Sequence, residues 1–170
     1  MRQTITFKEI LQEEEIKTYI KRADLSLERM GFTEHSFAHV MRVSKCAGDM
    51  LQQLGYDEHD VELARIAGYM HDIGNVINRI DHAQSGAIMA FRILDKMGMQ
   101  YEDIAKIIAA IGNHDESTAF PVSDVAASLI IADKSDVRRS RVRNADKSSF
   151  DIHDRVNYAV TDAKLRIDKE

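Results

Sequence analysis

The sequence predicts an all-α, single-domain bundle of about six or seven helices, and three observations lead there. Only 1 proline and 8 glycines punctuate 170 residues, too few for a turn-rich β-sandwich or barrel. Ala, Ile, Leu, Met, Lys, Glu and Arg dominate, and these residues enter a helix at little cost. Apolar side chains recur at helical rather than alternating intervals. With 44% hydrophobic residues the chain can fill one continuous core, and it is too short to divide comfortably into two.

A first helix is expected over residues 7–30, with Phe7, Ile10, Leu11, Ile16, Tyr19, Ile20, Ala23 and Leu27 on its apolar side and Gly31 at its end. Thr33 is placed to cap a second, along which Phe37, Val40, Met41, Ser44, Ala47, Met50, Leu51 and Leu54 follow one face until Gly55. Asp57 or Asp60 starts a third, whose residues from Val61 to Met70 run into His71, Asp72, Ile73 and Gly74. Asp81 is read as the cap of a fourth, from His82 to Met97, closed by Gly98. Ile104, Ile107, Ile108 and Ile111 mark a fifth, interrupted at Gly112 and Asn113 as His114 and Asp115 arrive. Pro121 and Ser123 open a sixth through Val125, Ala126 and Leu129 to Asp133, with a continuation towards Arg139.

From Val137 to Ser149 the chain is basic and polar, which suggests a loop or lid before a last helix over residues 150–164. Leu165, Arg166 and Ile167 alternate like the start of a strand that has no partner in the chain. No linker or repeat divides residues 1–170. They are read as one domain with its core at 33–139, the N-terminal helix 7–30, and a C-terminal basic loop and helix at 140–168.

A net charge of -5 speaks against a protein that grips nucleic acid over its whole surface, because counterion release needs a broad basic face. Cys46 stands alone, which excludes an intrachain disulfide and a cysteine-built zinc cluster. No window approaches the ~18 uncharged apolar residues of a membrane span, and the first residues lack a signal-peptide core. A cytoplasmic protein with no membrane partner is therefore expected.

Without cysteine clusters, imidazole and carboxylate are the usual ligands of a catalytic divalent ion. His71 and Asp72 are adjacent at a helix end, His39 lies one helix earlier in HVMRV, and Asp133 closes the apolar run LIIAD. A buried carboxylate at the end of such a run needs a cation, a helix terminus or hydrogen-bond donors. In order, these four residues resemble the H, HD and D positions of the HD superfamily of metal-dependent phosphohydrolases. The resemblance covers residues 33–139 and includes the texts AGYMHDIGN and IIADKSD.

That resemblance implies an HD-like helical fold and cleavage of a phosphate ester or anhydride by a metal-activated water. It also implies that His82 and His114 match the extra ligand positions of the superfamily's two-metal branches, with Asp72 shared between the ions. Two ions roughly 3.5 to 4 Å apart suit such chemistry. Iron or manganese is the favoured occupant, with zinc, nickel, cobalt and magnesium the others implied. Asn75 stands where many relatives have lysine after HDIG, and NHDE replaces the HHE of cyclic-dinucleotide enzymes, which also carry a GYP element missing here.

Further candidates carry two readings each. His35 lies four residues before His39 on the same helical face, where it can orient a water, pair with a carboxylate, touch phosphate or serve structure alone. Asp115 and Glu116 are candidates for proton transfer, or for capping a helix end. Arg42, Arg79, Lys134 and Arg138 are candidates for substrate phosphate, against solvated side chains or structural ion pairs. His59 and His153 are read as surface residues, and Cys46 as a small apolar one. The expected partner is a small phosphorylated molecule, a nucleotide or related metabolite, with a homodimer left open. The alternative is a regulatory domain that holds metal and nucleotide without turnover.

Overall fold

Capping chemistry sets the first boundaries in the computed structural model, which describes residues 2–168. Thr6 and Glu9 form a reciprocal capping box at α1 (Phe7–Ile10), and Glu13 caps α2 (Glu14–Arg29) by accepting from the Glu15 N–H. The single helix expected over 7–30 is therefore two, because the second cap breaks the chain after Leu11.

Ser36, not Thr33, caps α3 (Phe37–Leu54), its hydroxyl accepting from the Ala38 N–H. The intervening residues are held out of the helix: the Glu34 N–H donates to the Arg141 carbonyl at 2.8 Å and the His35 N–H to Asp24 at 2.8 Å. Asp57 caps α4 (Glu58–Met70). α4 buries residues on every side and runs through the middle of the bundle, against α3, α6 and α7. Gly68 permits the α3 crossing, since a Cβ there would lie 2.7 Å from the Ser44 Cα.

After α4 the chain makes a 3-10 turn, Ile73–Val76, and then α5 (His82–Lys96). Gly74 brings these two together: a Cβ would fall 2.0 Å from the His82 carbonyl oxygen and 2.5 Å from the Gly86 nitrogen. Any side chain at residue 74 would thus push the start of α5, and His82 with it, away from Asp72. Asp81 stands at the expected helix start but does not cap it. Its φ of 57° is left-handed and its side chain makes no capping bond.

α6 (Tyr101–Gly112) and α7 (Asp124–Ser135, capped by Ser123) complete the core. α7 stops short of the expected Arg139 because Asp136 leaves the helical region, with ψ 74°, and turns its carboxylate to His39 and Arg138. The basic stretch folds into loops with two 3-10 turns, Arg139–Arg141 and Lys147–Ser149. α8 (Ile152–Ala159), capped by Asp151, is shorter than the expected 150–164. Leu165 to Ile167 form no strand. Among the described residues, strand-like pairing is confined to one isolated parallel bridge between Gln3 and Met99.

The all-α expectation holds, with the split N-terminal helix making eight α-helices among the described residues. Ile16 and Ile20 of α2, Val43, Ala47 and Leu51 of α3, Leu63, Ile66 and Met70 of α4, Ile93 and Leu94 of α5, Ile107 and Ile111 of α6, and Leu129 of α7 share one apolar core. No described helix is long and apolar enough to cross a membrane.

Candidate metal centre and its cavity

Helix ends build the site. His39 sits in the first turn of α3, His71 and Asp72 directly follow α4, His82 opens α5, His114 lies just past α6, and Asp133 occupies the last turn of α7. All six converge, and their ligand atoms form three overlapping groups within 4.8 Å: His39, His71 and Asp72; His71, His114 and Asp133; Asp72, His82 and His114.

Asp72 is the hub. Its Oδ2 lies 3.1 Å from His71 Nε2 and 3.5 Å from His39 Nε2, while its Oδ1 lies 3.6 Å from His82 Nε2 and 4.0 Å from His114 Nε2. Asp133 Oδ1 closes the first side, 3.3 Å from His39 Nε2 and 3.7 Å from His71 Nε2.

The outer ring nitrogens fix which atom faces inward. His71, His82 and His114 place Nδ1 against the carbonyl oxygens of Gly68 (2.8 Å), Arg79 (3.0 Å) and Ile111 (2.6 Å). A carbonyl can only accept, so each Nδ1 carries hydrogen and each Nε2 is free to present a lone pair inward. His39 Nδ1 donates to Asp136 Oδ2 at 2.8 Å in the same way. Partners of this kind hold a metal-ligating imidazole in orientation. His82 and His114 then bring two acceptor Nε2 atoms to 3.3 Å, an approach that calls for a cation between or beside them.

The buried atoms agree. His39 Nε2, His71 Nε2 and Asp72 Oδ2 have no hydrogen-bond partner although all three are buried, a cost normally avoided unless something binds there. These residues fit a divalent transition ion in donor type, number and orientation.

Electrostatics point the same way. Burial alone would lower His39 and His71, but bonds to Asp133, Asp136 and Asp72 raise His39 to about 9, and Asp72 and Asp133 raise His71 to about 10. Burial would raise Asp72 and Asp133, yet the facing histidines hold both carboxyls well below the usual range. The cage demands positive charge, supplied by protons or by metal. A metal ion bound here would displace protons from His39 and His71: calorimetric titration in buffers of different ionisation enthalpy should read proton release at neutral pH, with affinity rising as pH approaches 9 to 10. By the same shifts, this contribution to metal-free stability is full below about pH 6.5. It is lost as pH rises through about 9 and 10. Affinity that is flat over this range would contradict the assignment.

Above the cluster opens a cavity of about 340 Å³. Asp72, His82, His114 and Asp133 line its base, and Phe32, Val137, Ile152 and Val156 give it apolar surface. Arg79, Lys134, Asp115 and His35 also line it. His35 packs edge-on to His39, ring centres 5.3 Å apart, and donates from Nδ1 to the Thr33 carbonyl at 2.7 Å. Burial lowers it to about 3, so it stays neutral with Nε2 available as an acceptor. Burial would raise Asp115, but Ser117, His82 and Arg79 hold it below its usual value, so at neutral pH it is ionised and has no proton to donate. Lys134 pairs with Asp133 Oδ2 at 2.7 Å.

Arg42 and Arg138 lie elsewhere. Both line a separate groove. Arg42 is largely exposed, its Nε 3.7 Å from Asp136. Arg138 grips Asp136 through Nε (2.6 Å) and Nη2 (3.0 Å) and reaches Glu34 at 3.2 Å. One residue escaped the sequence reading. Asp136, which orients His39, was signalled only by its position three residues after Asp133. Arg141, expected with the other arginines of the basic stretch to be solvated or to clasp phosphate, is buried, lines the cavity, and donates to the carbonyls of Asp136 (2.6 Å) and Glu34 (2.9 Å). His153, read as a surface residue, lines the cavity and lies 3.4 Å from Glu116. His59 pairs with Asp103 at 2.7 Å.

Comparison with known proteins places the chain. Residues 36–149 match the HD domain, and the chain belongs to that family. A crystal structure of a predicted HD superfamily hydrolase from an uncultured Thermotogales bacterium is similar, with a TM-score of 0.58 and 25% identity, covering 79% of this chain and 75% of that one. An uncharacterized protein, MJ1020, of Methanocaldococcus jannaschii is 24% identical, covering 86% of this chain and 65% of its own length. Ribonuclease Y of Bacillus thuringiensis strain Al Hakam is 30% identical over 122 residues, 72% of this chain but 22% of that enzyme. The chain thus has the fold of the HD hydrolase superfamily, whose domains bind divalent metals, while spanning about a fifth of the ribonuclease.

Proposed function

We propose that the chain is a metal-dependent phosphohydrolase that cleaves a phosphate ester or anhydride of a nucleotide or related phosphorylated metabolite. One observation carries the reading: the cluster in which His39 Nε2, His71 Nε2 and Asp72 Oδ2 make no hydrogen bond lies beneath a cavity that Asp72 and Asp133 line and that Arg79 and Lys134 supply with positive charge. His39, His71, Asp72 and Asp133 would hold a first ion, and Asp72, His82 and His114 a second, as in the superfamily's two-metal branch. A bound divalent ion supplies Lewis acidity, activating water and polarising a phosphoryl group.

The chain's own residues do the rest. Arg79 and Lys134 offer donors to phosphate oxygens. Asp115, ionised at neutral pH, can take a proton from water, and neutral His35 can accept a hydrogen bond and orient that water. Phe32, Val137, Ile152 and Val156 offer apolar surface to the organic part of a substrate. A cavity of about 340 Å³ suits a small molecule better than a polymer. The likeness to ribonuclease Y makes short RNA the natural competing substrate.

The test is phosphate release by chelator-stripped protein reloaded with manganese or iron, across nucleotides, dinucleoside polyphosphates and short RNA. Metal-dependent turnover of a nucleotide is the expected result. Tight nucleotide binding with no turnover under any ion would instead establish a regulatory domain.

A further inference from the structure

The two halves of the cluster are not equivalent. On the first side, His39 Nε2, His71 Nε2 and Asp72 Oδ2 make no hydrogen bond, and the near polar atoms are the cluster's own: each other and Asp133 Oδ1. On the second, the chain has already supplied donors. Asn75 Nδ2 donates to Asp72 Oδ1 at 2.9 Å and to the Asp72 carbonyl at 3.0 Å. Arg79 Nη1 lies 3.4 Å from both Asn75 Oδ1 and His82 Nε2.

Arg79 therefore clamps His82 at both ring nitrogens, its carbonyl accepting from Nδ1–H and its guanidinium donating to Nε2. Donors and acceptors alternate without conflict from Arg79 through Asn75 to Asp72, which fixes the Asn75 amide orientation. The Arg79 guanidinium also lies over the Phe32 ring, 5.6 Å from its centre. It places a fixed positive charge beside the atoms a second cation would need.

Resting on the reading that this cluster holds metal, we propose that its halves bind cations unequally. The side built on His39, His71 and Asp133 fills first. The side built on His82 and His114 takes a second ion only when Arg79 withdraws from His82, and an anionic phosphate at the cavity base is the group that draws it away. Asn75 and Arg79 are thus positioning residues that set metal stoichiometry. The charges offset one another, because the entering phosphate brings about -1.5 to -2 against the divalent ion, while the guanidinium stays in the cavity as the phosphate's partner.

Manganese is the probe. The unaltered chain, stripped with chelator and titrated, is expected to bind one ion at least tenfold more tightly than a second. Inorganic phosphate should narrow that gap. Arg79→Ala and the milder Arg79→Gln should tighten the second site at least tenfold without phosphate. They should also produce the electron paramagnetic resonance signature of coupled manganese pairs, which general loosening of the fold would not. His82→Ala added to either variant should return it to one ion.

Two equally tight ions in the unaltered chain, or a second affinity unmoved in both Arg79 variants, would overturn this proposal while leaving the phosphohydrolase reading standing. No bound manganese at all would overturn both. Melting curves in chelator show whether each variant is folded.

Discussion

Asp72→Ala is expected to abolish metal binding and bring turnover to background. Both oxygens of this carboxylate face ligand atoms, Oδ2 towards His39 and His71 and Oδ1 towards His82 and His114, so one substitution strips both halves of the cluster. Loss of an outer partner of a metal ligand typically costs about 10- to 100-fold in affinity, and loss of a shared ligand should exceed that. Activity alone would not separate this from misfolding. The decisive readout is the metal-induced rise in melting temperature, which mass action requires of any ion that binds only the folded chain. The unaltered protein should gain with manganese. Asp72→Ala should gain nothing at any concentration, with its helical circular dichroism retained. Asp72→Asn, which keeps an acceptor but not the charge, should fall between. An undiminished thermal shift in Asp72→Ala would remove the centre from the mechanism.

The helices that frame this centre were readable from spacing because their information is local. α3, α4 and α7 each combine a side-chain cap with an apolar face, α5 ends at the left-handed Gly98, and α6 is marked by its apolar face alone. Where two local signals compete, periodicity misleads: residues 7–30 keep a helical stripe, yet the Thr6 and Glu13 caps each start their own helix. The positions of His39, His71, Asp72 and Asp133 were legible only as an ordered set. Their meeting depends on α4 threading the bundle, which no single stretch of sequence reveals.

What stayed illegible was pairing between distant segments. Arg138 and Arg42 sit in a basic stretch and on an amphipathic face that look equally ready for phosphate. The structure commits Arg138 to Asp136 and Glu34 and leaves Arg42 exposed outside the cavity. Spacing cannot say which carboxylate an arginine will meet. The last helix was legible, though expected too long, but the place of Ile152 and Val156 at the cavity was not, because only tertiary packing turns them there. Asn75 was visible as a departure from relatives, but its bond to Asp72 depends on the tight 3-10 turn that Gly74 allows.

Asp136→Ala should produce the largest loss of stability outside the ligand set. The side chain is almost wholly buried and answers three donor nitrogens from two residues: His39 Nδ1 at 2.8 Å, and Arg138 through Nε at 2.6 Å and Nη2 at 3.0 Å. Removing one partner of a buried ionic network leaves the others uncompensated, at a cost of about 3–5 kcal/mol. Asp136→Asn preserves shape and some acceptor capacity and should cost about 1–3 kcal/mol. Although burial would raise it, His39, Arg138 and Arg141 hold this carboxyl well below its usual value. Its contribution is therefore present above about pH 4 and fades as pH falls through the lower folded value. Urea denaturation in chelator should accordingly show the gap between the unaltered chain and Asp136→Asn at neutral pH, shrinking on acidification. The metal readout is separate: with its Nδ1 partner gone, His39 loses its fixed tautomer, and manganese affinity should drop about 10- to 100-fold even under conditions where the variant is fully folded. A variant that is destabilised but binds manganese normally would confine Asp136 to holding the loop after α7.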